Sequence, residues 1–315
     1  MKRIVWVGFH MEGRDAFQKV SSSFNVVGCI SLKEEQSAKR SGVIDYRTLA
    51  DTANVPYFEI DHINDESSIA LLNELNPDIL IILGWSQLLS EEVLAIPKLG
   101  TIGAHASLLP ALRGSAPINW AIINGLRETG NTLMWLNPGV DTGEIIDQIS
   151  FEIDDFDDCK TLYDKVAETN STMLLNALPL INEKGKIGAP QEETDEPILP
   201  RRRPKDGLID FTKDAWSLYN FVRALAQPYP GAFFYADGIK CIVWQASYVS
   251  SKIDAGKNGE VHAHLYATRP ENCGIVVCTD GDGSFIINQV EVEGQILMAK
   301  ELHDKFPVKK IVFDE

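Results

Sequence analysis

No apolar run in this 315-residue chain approaches the ~20 residues needed to cross a bilayer; the strongest, ILIILGW at 79–85, has the length of a buried strand. The N-terminal MKRIVWVGFH is apolar too briefly for a signal peptide and lacks a small-residue cleavage site. Cysteine is sparse: five residues, at 29, 159, 241, 273 and 278, with no paired spacing. That excludes a disulfide framework and points to a reducing, cytoplasmic setting in which each thiol is a small buried hydrophobe. Positive charge is also short, with 29 Lys and Arg against 45 Asp and Glu for a net charge of −16. The one concentrated basic stretch is PRRRPK at 200–205, and from Asp206 onward ten basic residues face fifteen acidic ones. Such a chain repels polyanions at long range, which argues against nucleic acid as a partner. The glycine after the first apolar run stands in VGFHMEGRD, which lacks a full G-x-G-x-x-G and so does not announce a dinucleotide site.

What is present is the alternation of an α/β domain. RIVWVG (3–8), NVVGCI (25–30) and DILIILG (78–84) read as near-continuous apolar strands, and the segments 13–22, 46–54 and 66–75 carry helical spacing. The pattern predicts a Rossmann-like, mainly parallel sheet with helices on both faces. A second regime follows 188–207, a stretch rich in proline and charge that reads as a linker. Beyond it, after a helical segment at 214–226, come β-like runs at 232–236, 240–249, 273–279 and 284–292, separated by turn signals such as DGDG. They predict a small β-rich, barrel-like C-terminal domain. The expected division is 1–190, a linker over 191–205, and 206–315. His262 and His264 share one face of a strand, with no third metal ligand near in sequence.

The informative block is 100–147. His105 follows a strand-like stretch, so it falls at a strand end, where open α/β sheets place their sites. Read singly, a histidine at such a place is more often structural or incidental than catalytic. Asp141 in NPGVDTGE reads as a turn-former, and Arg113 and Pro110 as loop residues. Together, however, His105, Ser107-Leu108-Leu109-Pro110, Arg113-Gly114, Pro117 and Val140-Asp141-Thr142-Gly143 stand in one order over about forty residues. In that order and spacing the block resembles the family of formyltransferases that use 10-formyltetrahydrofolate, with the methionyl-tRNA enzyme as a well-known member. The resemblance covers nearly the whole chain, and the last fifty residues match only loosely.

The resemblance implies roles. His105 and Asp141 are the expected catalytic pair, a proton shuttle and its support, since a histidine suits proton transfer near neutral pH. Ser86, Gln87, Leu88 and Leu89 match the loop that holds the pterin end of folate, and Asn137, Gly139 and Val140 match its opposite wall. Formyltetrahydrofolate serves as co-substrate, and no metal is required. Ser107 and Arg113 are the expected contacts to the acceptor. One position departs from the pattern: the family carries an asparagine two residues before the histidine, as a donor to the formyl oxygen, and this chain has Gly103. Loss of one oxyanion donor costs on the order of 10²–10³ in rate. A replacement donor, a slow enzyme and a non-catalytic folate- or nucleotide-sugar-binding relative are the three readings left open.

For the acceptor, 31–50 is short and mixed in charge where the tRNA enzyme carries a basic insertion, and the glycinamide ribonucleotide enzyme lacks a region such as 206–315. The branch that fits is similar to the formyltransferase part of the UDP-4-amino-4-deoxy-L-arabinose enzyme. It implies a nucleotide-linked amino sugar as partner, a role in surface-polysaccharide or lipopolysaccharide precursor synthesis, no membrane association and a homodimer. A methionyl-tRNA formyltransferase is the alternative acceptor assignment.

Overall fold

The strand Ile4–Val7 (β1) is buried along its whole length, and its alternate side chains enter two different cores. Ile4 and Trp6 join one apolar cluster, Val5 and Val7 another. Period-two geometry requires this of a strand covered on both faces. The computed structural model describes residues 1–38 and 40–308, so the end of the expected C-terminal domain, 309–315, lies outside the described residues.

After β1 come α1 (Arg14–Ser23), β2 (Val26–Leu32), α2 (Glu34–Ser37), α3 (Tyr46–Thr52), β3 (Tyr57–Ile60), α4 (Glu66–Leu75), β4 (Ile79–Ile82), α5 (Glu91–Ala95), β5 (Gly100–His105), α6 (Pro117–Ile123), β6 (Glu128–Trp135), β7 (Ile145–Glu152) and α7 (Cys159–Lys184). The sheet order is β3-β2-β1-β4-β5-β6-β7. Pairing is parallel from β3 through β5 and antiparallel for β5–β6 and β6–β7. Strand order reverses between β1 and β4, and β5 lies beside this switch point, so its C-terminal end opens where such sheets bind ligands.

The two faces are covered as the apolar pattern predicts. Met173, Leu174, Ala177, Leu178 and Ile181 of α7 recur at helical spacing and pack with Ile79, Ile81 and Ile102. On the other face, Leu72 of α4 and Val93 of α5 pack with Leu80 and Ile82. Helix starts are fixed locally: Asp45 accepts from Thr48 N at the head of α3, and Ser90 accepts from Val93 N at the head of α5.

The C-terminal region holds α8 (Ala215–Ala224), β8 (Ala232–Ala236), β9 (Ile239–Val249), β10 (Val261–Leu265), β11 (Gly274–Val277), β12 (Ser284–Val292), β13 (Gln295–Met298) and α9 (Ala299–Lys305). Its antiparallel sheet runs β10-β11-β12-β9-β8, with β13 also on β12. β12 pairs with β11 up to Ile287 and with β13 from Gln289 onward, and its register against β9 breaks at the same place. Such a bulge bends a strand and lets one edge serve two partners. Buried Asn288 secures the bend, accepting from Ser247 Oγ at 2.8 Å and donating to Cys273 O at 3.0 Å. Phe234, Phe285 and Phe306 anchor the core of this unit.

By backbone contacts the chain divides into one unit of Met1–Ile118, Arg127–Ile153 and Thr161–Pro200, and a second of Asn119–Leu126, Asp154–Lys160 and everything from Arg201. No helix among the described residues is long and apolar enough to cross a membrane.

Candidate active site

β5 delivers His105 to its C-terminal end, where the residue is only 7% exposed. The chain then winds into a compact turn. Ser107 is fully buried, and its hydroxyl donates to Ala111 O at 2.7 Å. Thr132 of β6 holds the same turn from below: its hydroxyl donates to Ser107 O (2.7 Å) and accepts from Leu109 N (3.2 Å) and Gln148 Nε2 (2.7 Å). Gln148 also donates to Leu109 O at 3.0 Å. Leu112 and Ala116 sit at φ of 58° and 59°, a left-handed conformation that is costly for residues with a Cβ and must be held by its surroundings.

His105 Nε2 lies 2.8 Å from Leu112 O, and Nδ1 lies 3.5 Å from Asp141 Oδ2. Both neighbours are acceptors, so both ring nitrogens find a partner only when the imidazole carries two protons. Asp141, itself left-handed at φ 52°, is aimed by Gly114 N, which donates to the same Oδ2 at 2.8 Å.

Asp141 belongs to the loop joining β6 to β7. Trp135 N donates to Glu144 O (2.9 Å) at the loop's base, and Leu136 N donates to Thr101 O (2.7 Å). The loop therefore runs along β5, from Thr101 at Leu136 to His105 at Asp141. Gly143 is required at its return, because a Cβ there would collide with the Trp135 carbonyl.

A third segment clamps the two loops. Gln191 Oε1 accepts from Arg113 Nε (3.2 Å) and Nη2 (2.5 Å), while its Nε2 donates to Asp141 O (2.9 Å) and Gly143 O (2.8 Å). Glu196 Oε2 accepts from Leu112 N at 3.4 Å, and Leu199 bonds both Arg113 O and Ser115 N through its backbone. Gln191, Glu196, Thr132 and Gln148 carry no motif signal; they are found only once the fold brings them to the loop. The structure thus brings His105, Asp141, Ser107 and Arg113 together, with Ser107 and Arg113 engaged in holding the loops.

Ser86, Gln87, Leu88 and Leu89 follow β4, the strand parallel to β5. Gln87 ties this loop down, accepting from Ile63 N (2.8 Å) and donating to Asp61 O (3.0 Å). Asn64 secures it from the side through Leu88 O at 2.9 Å. Leu89 and Trp85 pack on the core cluster beneath, whereas Leu88 is 83% exposed. In the other loop Asn137 Oδ1 accepts from Gly139 N and Thr142 Oγ1, and Val140 is 42% exposed. His264, on β10, stacks on His303 at 4.4 Å and shares Nε2 with Phe306 O; no group of three or more metal-ligating side chains occurs among the described residues.

Comparisons with known proteins place the fold in a family. Residues 13–178 match the family model described as formyl transferase, and residues 202–306 match the formyl transferase C-terminal domain. Over 229 residues the chain is 36% identical to the bifunctional polymyxin resistance protein ArnA of Wigglesworthia glossinidia brevipalpis, an alignment that takes in 72% of this chain and 35% of that protein. HypX from Aquifex aeolicus, solved in complex with tetrahydrofolic acid, superposes with a TM-score of 0.65 at 20% identity, over 100% of this chain and 50% of that one. WlaRD, a sugar 3N-formyl transferase solved in the presence of dTDP and 5-N-formyl-THF, superposes with a TM-score of 0.64 at 18% identity, over 94% and 99% of the two chains. At such identities these two structures establish the fold. The chain spans about a third of the ArnA relative and half of HypX. Since the catalytic family model covers more than half of its length, the chain belongs to the formyl transferase family.

Proposed function

We propose that this formyltransferase moves the formyl group of 10-formyltetrahydrofolate onto the amino group of a nucleotide-linked amino sugar. The observation that carries the reading is the His105–Asp141 pair at 3.5 Å, set at the C-terminal end of β5 by bonds from three separate segments. The two loops expected to hold the folate can offer apolar side chains to the flat faces of the pterin, leaving main-chain groups for its polar edge. Each leaves a large aliphatic side chain uncovered, Leu88 on one and Val140 on the other, while the Gln87 amide and the side-chain oxygen of Asn137 are engaged in stiffening the loops.

Bound formyl-folate supplies an activated one-carbon unit. His105 moves the protons: as an imidazolium it turns its Nε2–H from Leu112 O to the oxyanion that develops when the amine attacks the formyl carbon. It then gives that proton to the folate nitrogen as the carbon–nitrogen bond to folate breaks, and the neutral ring takes up the proton released by the former amine. Asp141 keeps the ring oriented through Nδ1 and compensates its positive charge. The loop wound from Ser107 to Ala116 covers His105 and limits water around it, which strengthens each of these interactions.

The acceptor assignment is supported by charge and by the N-terminal unit. A net charge of −16 opposes tRNA, and the described residues between β2 and β3 form only the short helices α2 and α3. The relatives named for sugar transfer and for folate add to the same reading. A formylated nucleotide sugar of this kind is a precursor for surface polysaccharide or lipopolysaccharide made in the cytoplasm. The competing reading, a binding protein without turnover, has Gly103 in its favour.

The test is incubation with 10-formyltetrahydrofolate and a panel of UDP-, dTDP- and GDP-linked 3- or 4-amino sugars. A product heavier by one formyl group, absent with His105→Ala, supports the proposal. Binding without turnover across the panel supports the competing reading, and formylation of charged initiator tRNA overturns the acceptor assignment.

A further inference from the structure

Across β5 and β6, His105 pairs with Thr132 and Gly103 with Met134. Residues paired in this way point to one face of the sheet, and Leu136, two beyond Met134, is the diagonal neighbour of Gly103 on that face. The bond from Leu136 N to Thr101 O at 2.7 Å fixes its backbone there. A Cβ built on Gly103 would stand 2.7 Å from Leu136 Cδ2 and 3.0 Å from both Cδ1 and Cγ. The branch point of the leucine is as close as one of its tips, so the body of the isobutyl group borders the space a side chain at 103 would enter. A small rotation of one methyl does not vacate it.

We infer that Leu136 fills the volume of the missing motif asparagine, making the wall beside His105 apolar and removing any side-chain amide donor from position 103. Gly103 and Leu136 are therefore one coupled change. Asparagine at 103 requires Leu136 to give way, and oxyanion stabilisation in this chain falls on His105 and on main-chain groups. The inference rests on the formyl-transfer reading for its catalytic half and on packing alone for its structural half. Leu136 acts here as a positioning residue: it decides what can stand next to the reacting group.

A double-variant cycle tests both halves. Gly103→Asn alone overpacks the face and is expected to lower Tm by about 3–8 °C, with formyl transfer no faster than in the natural protein. Leu136→Ala opens the space, and the combination Gly103→Asn with Leu136→Ala is expected to recover most of the Tm lost through asparagine. Relative to Leu136→Ala, the combined variant should release tetrahydrofolate from 10-formyltetrahydrofolate at least about tenfold faster with an accepting amino sugar, as a restored oxyanion donor would do. A Gly103→Asn protein with unchanged Tm, or a Tm loss that Leu136→Ala does not relieve, overturns the coupling. Recovered Tm with no gain in rate over Leu136→Ala overturns the catalytic consequence. Absence of turnover in all four proteins, the natural one included, counts against the formyl-transfer reading, while the Tm cycle still decides the coupling.

Discussion

The side-chain amide of Gln191 donates to the main-chain carbonyl of Asp141 at 2.9 Å, across 50 positions of sequence. The same amide donates to Gly143 O, and its oxygen receives Arg113. A single uncharged side chain thus sets the distance between the loop that carries Asp141 and the loop that covers His105. Gln191→Ala leaves two carbonyls and a guanidinium short of partners, a loss of about 1–3 kcal/mol in stability, and kcat should fall by roughly tenfold as Asp141 loses its aim. Gln191→Glu is the sharper variant. It still receives Arg113 but has no N–H for the carbonyls, so it should keep more of the Tm than Gln191→Ala and little more of the kcat. Tm and single-turnover rates on both variants check this.

His105 and Asp141 are expected to differ in weight. His105→Ala removes the proposed proton carrier and should reduce kcat by about 10²–10⁴. Asp141→Asn keeps an acceptor for Gly114 N but no charge opposite Nδ1, and should cost about 10²-fold. The double variant should be little worse than His105→Ala, because the aspartate acts through the ring. Steady-state kinetics on the three proteins measures this.

Asp45 predicts an acid limb of stability. Thr48 donates to it from the side chain at 2.6 Å and from the backbone at 3.1 Å, holding its carboxyl below the usual carboxylate value. A depressed folded-state value contributes stability above the unfolded value of about 3.9, and that contribution is lost as pH falls through the folded one. Asp45→Ala, which also uncaps α3, should cost about 0.5–2 kcal/mol near neutral pH. The gap to the natural protein should narrow as pH drops below about 4. Urea melts at pH 7, 4 and 3 compare the two.

The thiols are expected to be silent in the native state. All five cysteines are buried, and burial pushes Cys29 and Cys159 up to about 12. The thiolate is the reactive form, so a disulfide reagent such as DTNB at pH 8 should titrate close to none in the folded protein and all five after unfolding. Rapid labelling of the native chain would contradict the packing described for those positions.

Much of the first sheet is legible in sequence because buried parallel strands need unbroken apolar runs, and Ile4–Val7, Val26–Leu32 and Ile79–Ile82 supply them. Tyr57–Ile60 escapes such a reading: it is four residues long, its Glu59 is exposed, and it lies on the sheet's outer edge. Gln295–Met298 escapes for a similar reason, since it is short and only half covered. His105 and Asp141 are legible through motif spacing, but their geometry is not. Gln191 stands in a stretch that reads as linker, and nothing in its neighbours tells that it reaches Asp141. Leu136 is an ordinary apolar residue until strand register makes it the diagonal neighbour of Gly103.

The second unit claims Asn119–Leu126 and Asp154–Lys160 as well as the chain from Arg201. Inside it, Arg223 donates to the carbonyls of Asp154 and Asp157, and Asn119 donates to Ala224 O. The two units are braided along the sequence rather than placed end to end. A chimaera that trades C-terminal halves between relatives at one junction near residue 200 would inherit those two short segments from the wrong parent. Exchanges that move all three segments together, keeping 119–126 and 154–160 with the tail they serve, are the ones that should yield well-folded hybrids.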